Sequence, residues 1–166
     1  SGCIGIALAK YLKNAQITLA DISKKALEVA RKNAIHHQVE DKIELIESNL
    51  FENLENKKFD LIISNPPYIR TSVIPTLSKE VRKEPYIALN GGEDGLFFYR
   101  EILKQGHLYL KSEGYLLLEI GYDQAEEIIK LWKNISSQNL NLVTKQAIQD
   151  LGGNDRVLVF QKKVDI

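Results

Sequence analysis

Apolar residues recur at helical spacing from Gly2 to Leu12, at Ile4, Ala7, Leu8, Tyr11 and Leu12, and predict a helix with glycine at its mouth. Gln16 to Ala20 follows as a short strand ending at Asp21. Ser23 is placed to cap a second helix running to His36, with Ala26, Leu27, Ala30 and Ala34 on one face. Lys42 to Glu47 alternates as a strand, and Phe59 to Ser64 predicts another that runs straight into Asn65-Pro66-Pro67-Tyr68. From Ile69 to Gly95 no period is sustained, which suits a long functional loop with a short helix near Thr76 to Lys83. Helical spacing resumes from Leu96 to Leu110. Gly114 to Ile120 predicts a buried strand, and Gln124 to Lys133 an amphipathic helix with Trp132 on its apolar face. Asn141 to Ala147 and Arg156 to Gln161 close the chain as two strands without a helix between them, as in an antiparallel hairpin at a sheet edge.

Strands alternating with helices predict a doubly wound α/β fold with a mostly parallel sheet. In such sheets ligands bind beyond the carboxyl ends of the strands. Asp21, Asn49 and Asn65 each fall just after a predicted strand, so three polar groups are expected on one edge.

Composition narrows the partners. The 166 residues suit one domain, covering 1–166. Lys plus Arg number 22 and Asp plus Glu number 22, so no net field favours direct binding to nucleic acid or an anionic membrane. The apolar runs are far shorter than the ~20 residues a bilayer requires, and no membrane span is predicted. The single Cys3 forms no internal disulfide and no secretory leader is recognisable, so a reducing, cytoplasmic setting is expected. The chain contains no Met, from which an upstream N-terminus is inferred. His36 and His37 end a helix and His107 lies within another; none has metal-ligand spacing, and no metal is predicted. Arg70, Lys79, Arg82 and Lys83 make the loop after the proline pair locally basic.

Two segments carry chemistry. Ser1-Gly2-Cys3-Ile4-Gly5 opens a helix whose free N–H groups suit a polar ligand, and Asp21 follows at nearly the ~20-residue separation of a ribose-binding acid. The same residues also suit simple helix packing, with Asp21 capping the next helix. Asn65-Pro66-Pro67-Tyr68 is more specific. Two prolines at the end of a buried strand forfeit two backbone donors, and a turn requires only one. The Asn65 side-chain carbonyl and the Pro66 backbone carbonyl are placed to accept both N–H bonds of a planar NH2 group. Held so, the nitrogen pyramidalises and aims its lone pair at an electrophilic methyl. Tyr68 packs on the flat target, its ring face suiting the charge that develops there.

With these motifs the chain resembles the S-adenosylmethionine-dependent methyltransferases of the HemK/PrmC type, which modify a protein glutamine. Ser1-Gly2-Cys3-Ile4-Gly5 resembles the end of that family's glycine loop, Ala20-Asp21-Ile22-Ser23 its acidic ribose site and Asn65-Pro66-Pro67-Tyr68-Ile69 its catalytic motif. Glu84-Pro85, Ala88-Leu89, Gly91-Gly92, Asp94-Gly95-Leu96, Tyr99-Arg100, Glu119-Ile120-Gly121 and Asp150-Leu151-Gly152-Gly153-Asn154-Asp155-Arg156 fall in the family's order.

The resemblance implies a Rossmann-like class I methyltransferase fold using S-adenosylmethionine and releasing S-adenosylhomocysteine. It implies Gly2, Asp21, Ile22, Asn49, Leu50 and Asn65 at the cofactor, with Asn65, Pro66, Pro67 and Tyr68 at the substrate. The implied substrate is the glutamine of the Gly-Gly-Gln motif in class 1 peptide chain release factors. A ribosomal-protein glutamine, or an adenine amino group in nucleic acid, is the alternative within the enzyme class. A non-catalytic binding module and a nicotinamide dehydrogenase rank lower, because the Asn-Pro-Pro-Tyr motif is intact and has no role in hydride transfer. Two departures stand out. Asn49-Leu50 replaces the family's usual Asp-Leu, removing a charge beside the adenine. The family's first strand, the start of its glycine loop and its N-terminal helical domain would lie upstream of Ser1.

Overall fold

A computed structural model describes residues 1–136 and 142–164. They divide into two compact units, Ser1–Lys57 and Lys58–Ile166.

The first unit contains α1 (Cys3–Tyr11), β1 (Ile17–Asp21), α2 (Lys24–His36) and β2 (Ile43–Glu47). β1 and β2 run parallel, with Ile17 opposite Ile43 and Asp21 opposite Glu47. A crossover is required between them, supplied here by α2, because parallel neighbours cannot be joined by a tight turn. Ile6, Ala9, Ala34 and Val39 form the core of this unit, with Ile17 and Ile43 packed on it. Ser23 caps α2 as the sequence predicts, its Oγ accepting from Ala26 N at 3.3 Å.

The second unit contains β3 (Phe59–Ser64), the single-turn helix α3 (Tyr86–Leu89), α4 (Phe97–Tyr109), β4 (Leu110–Glu119), α5 (Ala125–Ser136), β5 (Leu142–Gln149) and β6 (Asp155–Lys162). Its sheet has the order β3-β4-β6-β5. β3 and β4 are parallel, whereas β6 is antiparallel to both β4 and β5, so the expected edge hairpin is present. Leu116, Leu118 and Ile120 occupy alternate positions and are fully buried, as are Leu158 and Phe160 on β6. Trp132 on α5 is buried and meets Phe160 edge-on at 6.0 Å.

Three sequence expectations shift. The predicted helix near Thr76 to Lys83 is replaced by two 3-10 turns, Ile74–Thr76 and Val81–Lys83, followed by α3. β4 begins four residues earlier than Gly114, at Leu110. Glu113 has φ 62° and the register with β3 slips between Phe59 and Leu61, an irregularity that apolar alternation does not reveal. Gln124 precedes α5 instead of opening it. The predicted strand start at Asn141 lies outside the described residues.

Among the described residues, β1 pairs only with β2 and β3 only with β4. β3 is apolar yet incompletely covered, with Leu61 40% exposed. An uncovered apolar edge is a template for intermolecular pairing. The 166-residue polypeptide on its own is therefore expected to associate and to unfold without a sharp transition. A cooperative thermal transition, recorded by circular dichroism on a sample shown to be monomeric by light scattering, would contradict this.

Candidate active site

In the first unit the glycines at the mouth of α1 are closely packed. Gly2 sits at φ 72°, and a Cβ there would lie 2.9 Å from the Ala30 Cβ and 3.0 Å from Leu19. A Cβ on Gly5 would collide with the Leu19 side chain. Close approach to β1, and at Gly2 also to α2, favours glycine at both positions.

Asp21 ends β1, and its Oδ1 accepts from Ser23 N at 2.8 Å, orienting the turn into α2. Among the described residues its Oδ2 takes no hydrogen bond. Ile22 beside it is 58% exposed and offers an apolar surface. The loop after β2 lies on the same sheet edge, since Ser48 N donates to Asp21 O at 3.1 Å. Ser48 is buried; its Oγ accepts from Asn53 N and donates to Leu50 O, each at 3.0 Å. That clamp accompanies a left-handed Leu50 at φ 52°, a conformation L-residues rarely adopt and one that concentrates at functional sites. Asn49 is exposed, and its Nδ2 donates to Glu52 Oε1 at 2.8 Å, which leaves the amide oxygen to accept. Ser48 escapes sequence reading; a small polar residue directly after an apolar strand was its one signal.

In the second unit Asn65 follows β3 directly and is exposed, Pro66 is buried, and Pro67 and Tyr68 are half-buried. Among the described residues the Asn65 side chain makes no hydrogen bond, so both ends of its amide are available. The scattered glycines downstream close around this turn. Ile69 N donates to Leu89 O at 3.0 Å and Gly91 N to Ile69 O at 2.9 Å. Asn90 Oδ1 accepts from Thr71 Oγ1 and from Gly92 N. Gly91 then passes so close that a Cβ there would stand 2.7 Å from the Tyr68 Cα.

The ends of β4 and β6 complete the cluster. The Tyr99 hydroxyl donates to Glu119 O at 2.9 Å. Arg156 donates from Nη1 to Ile120 O and from Nη2 to Asp150 Oδ2, at 3.2 and 3.0 Å. Burial raises the Tyr68 phenol above its ordinary value, the Glu119 carboxylate adds to this, and Arg156 opposes it. Burial likewise raises Tyr99. Tyr68 therefore stays neutral and offers a ring and a hydroxyl, with no phenolate base. Asp94 pairs with Arg100 and accepts from Leu96 N at 3.0 Å, fixing the entry to α4.

Arg70 departs from the expected basic patch. It binds Asp123 at 2.9 Å and Glu127 at 3.5 Å, leaving Lys79, Arg82 and Lys83 as the exposed cations of that loop. Among the described residues no group of three or more His, Cys, Asp and Glu is placed to hold a metal.

The backbone N–H of Asn154 foremost, then Arg156, holds the Asp150 carboxyl below its ordinary value. The hairpin turn is therefore favoured above the unfolded carboxyl's ~3.9 and loses that contribution as pH falls through the lower folded value. In an acid titration followed by NMR, the Gly152 and Asn154 amides should move only below about pH 4. Movement centred near neutrality would contradict the pairing.

The sequence profile of the methyltransferase small domain family matches residues 1–84. A release factor glutamine methyltransferase from Fusobacterium nucleatum is 44% identical over 166 residues, 99% of this chain and 45% of that protein. A ribosomal protein uL3 glutamine methyltransferase from Francisella tularensis is 44% identical over 124 residues, 75% of this chain and 40% of that protein. The chain thus spans about half the length of these relatives or less. Among solved structures, a methyltransferase from Pyrococcus furiosus superposes with a TM-score of 0.69 at 19% identity, over 98% of this chain and 70% of that one, and so shares the fold. Half the chain matched by one family profile, together with an intact Asn-Pro-Pro-Tyr turn, establishes that this chain belongs to the methyltransferase small domain family.

Proposed function

We propose that the chain is the catalytic part of an S-adenosylmethionine-dependent protein-glutamine methyltransferase, acting on the Gly-Gly-Gln glutamine of class 1 peptide chain release factors. The observation that carries this reading is the turn after β3: an exposed Asn65 amide with no hydrogen-bond partner among the described residues, on a backbone that Gly91 approaches closely. The Fusobacterium relative, matched over nearly the whole chain, supports the choice of substrate.

The polar groups of the first unit fit the cofactor. The spare Asp21 oxygen would accept from a ribose hydroxyl, and the Asn49 amide oxygen from the adenine amino group, with Ile22 and Leu50 alongside. Gly2 would contribute backbone at the mouth of α1. S-adenosylmethionine would supply an electrophilic methyl on a sulfonium that leaves as the neutral thioether of S-adenosylhomocysteine.

The remaining work belongs to the protein. A glutamine side-chain nitrogen is a poor nucleophile because its lone pair is delocalised into the carbonyl. Asn65 Oδ1 and Pro66 O would accept its two N–H bonds, fixing the NH2 group and favouring pyramidal geometry as the new N–C bond forms. Tyr68 would pack against the amide plane, and its neutral ring stabilises the growing positive charge. Fixed carbonyl dipoles act without reorganising during the reaction. No strong base is needed, because the nitrogen becomes acidic once alkylated and gives its proton to water. By the resemblance Asn65 would also contact the cofactor. Both units then serve one catalytic domain, and the reading carries a cytoplasmic location with it.

The test uses the full-length protein and labelled cofactor. Label should enter a release factor and not its Gly-Gly-Gln glutamine→Ala variant; equal labelling of both would overturn the proposal. The Francisella relative favours a ribosomal-protein glutamine as the second reading. Competition between the two substrates in one reaction separates them.

A further inference from the structure

Gln124 has no role so far, yet it is 2% exposed and both the nitrogen and the oxygen of its amide are hydrogen-bonded. Its Nε2 donates to Tyr68 O at 3.1 Å and to Gly95 O at 3.3 Å, while its Oε1 accepts from Gly121 N at 2.9 Å. Three separate segments therefore meet on one side chain: the catalytic turn, the glycine segment before α4 and the exit of β4.

A helix-capping role does not account for this. Ile128 N bonds to the Gln124 backbone carbonyl at 3.0 Å, so the main chain alone begins α5 while the side chain turns away from it. Gly95 is shaped to the same contact. It sits at φ 75°, and a Cβ there would lie 2.5 Å from Tyr68 O and 2.8 Å from Gln124 Nε2. The space beside the Tyr68 carbonyl is reserved for an amide donor.

We infer that Gln124 is a positioning residue for the catalytic turn, its buried amide tying the Tyr68 carbonyl to the second unit's rigid core and thereby setting the register of Asn65 and Pro66. The inference rests on the proposed glutamine chemistry for its kinetic consequence and on geometry for its structural one. Only a side chain with two donors and one acceptor at this reach satisfies all three contacts. A carboxylate in the same shape turns two attractions into repulsions, and a thioether removes all three bonds.

The experiment compares Q124E and Q124M with I128V, which lightens the core of the same helix, in the full-length protein at a temperature where all remain folded. Turnover of Q124E and Q124M should fall about 10- to 100-fold, the range expected when a reacting geometry is displaced by around an ångström. S-adenosylmethionine affinity by calorimetry should fall far less than turnover, since the Asp21 and Asn49 contacts proposed for the cofactor do not involve Gln124. Amide exchange read by mass spectrometry should quicken in residues 65–71, 91–97 and at Gly121, and stay unchanged in 1–57. Unchanged exchange in those loops, wild-type turnover in both variants, or an equal turnover loss in I128V would overturn the assignment. If the wild-type protein labels no glutamine, the proposed function fails, and the exchange data still decide the role of Gln124.

Discussion

Replacing Asn65 by alanine should lower turnover about 10²- to 10³-fold, the usual cost of deleting one fixed dipole aimed at a reacting group. The side chain is exposed, directly follows β3 and makes no bond within the described residues, so its loss breaks nothing in the fold. Stability should therefore be nearly unchanged, with a thermal midpoint within a degree or two, as expected for surface substitutions of about ±0.5 kcal/mol. Affinity for S-adenosylmethionine should change much less than turnover. Single-turnover rates with labelled cofactor and calorimetric binding on the same preparation separate these effects. Turnover that survives the substitution would move the catalytic centre away from this turn. Equal losses in binding and turnover would make Asn65 a cofactor residue first.

Gly91→Ala should act through the same turn by the opposite route, failing through stability as well as rate. The added methyl would lie 2.7 Å from the Tyr68 Cα, 2.8 Å from its carbonyl carbon and 2.9 Å from Pro67 O, all backbone atoms that cannot rotate away. The Gly91 segment must then retreat, straining the bonds from Ile69 N to Leu89 O and from Gly91 N to Ile69 O. Overpacking of this kind costs about 1–3 kcal/mol, several degrees of thermal midpoint in a protein of this size. Turnover should fall with it, because the displaced atoms carry Asn65 and Pro66. Gly153→Ala supplies the contrast. Nothing lies within 4 Å of its Cβ, so only the left-handed backbone at φ 80° resists, at about 1 kcal/mol, and turnover should hold. If both variants behaved alike by thermal melts and initial rates, the close approach of Gly91 would have no special role.

Much of the local structure is legible in the chain itself. The 3.6-residue spacing that predicts helices over Gly2 to Leu12 and Leu96 to Leu110 appears as α1 and α4, with ends displaced by a residue or so. Ser23 reads as a cap because a hydroxyl before an apolar helix has one obvious use. Asn65-Pro66-Pro67-Tyr68 reads as a site because paired prolines at a strand exit cost more than a turn requires. From its neighbours in sequence Arg70 belongs to a locally basic loop, whereas the structure pairs it with Asp123 and Glu127, more than fifty residues away. The long loop defeated periodicity because its order comes from Gly91 and Asn90 bonding back to Ile69 and Thr71, not from an internal repeat.

By itself the sequence determined the alternation of helices and strands, the edge hairpin and the proline turn that ends β3, since each follows from residues adjacent in the chain. Only the tertiary structure decided how closely Gly2 and Gly5 pack against Leu19, that Ser48 winds the loop bearing Asn49, and that Gln124 gathers three segments around Tyr68. Hydrogen bonds between residues dozens of positions apart leave no period in the sequence. They exist only once burial removes water as the competing partner.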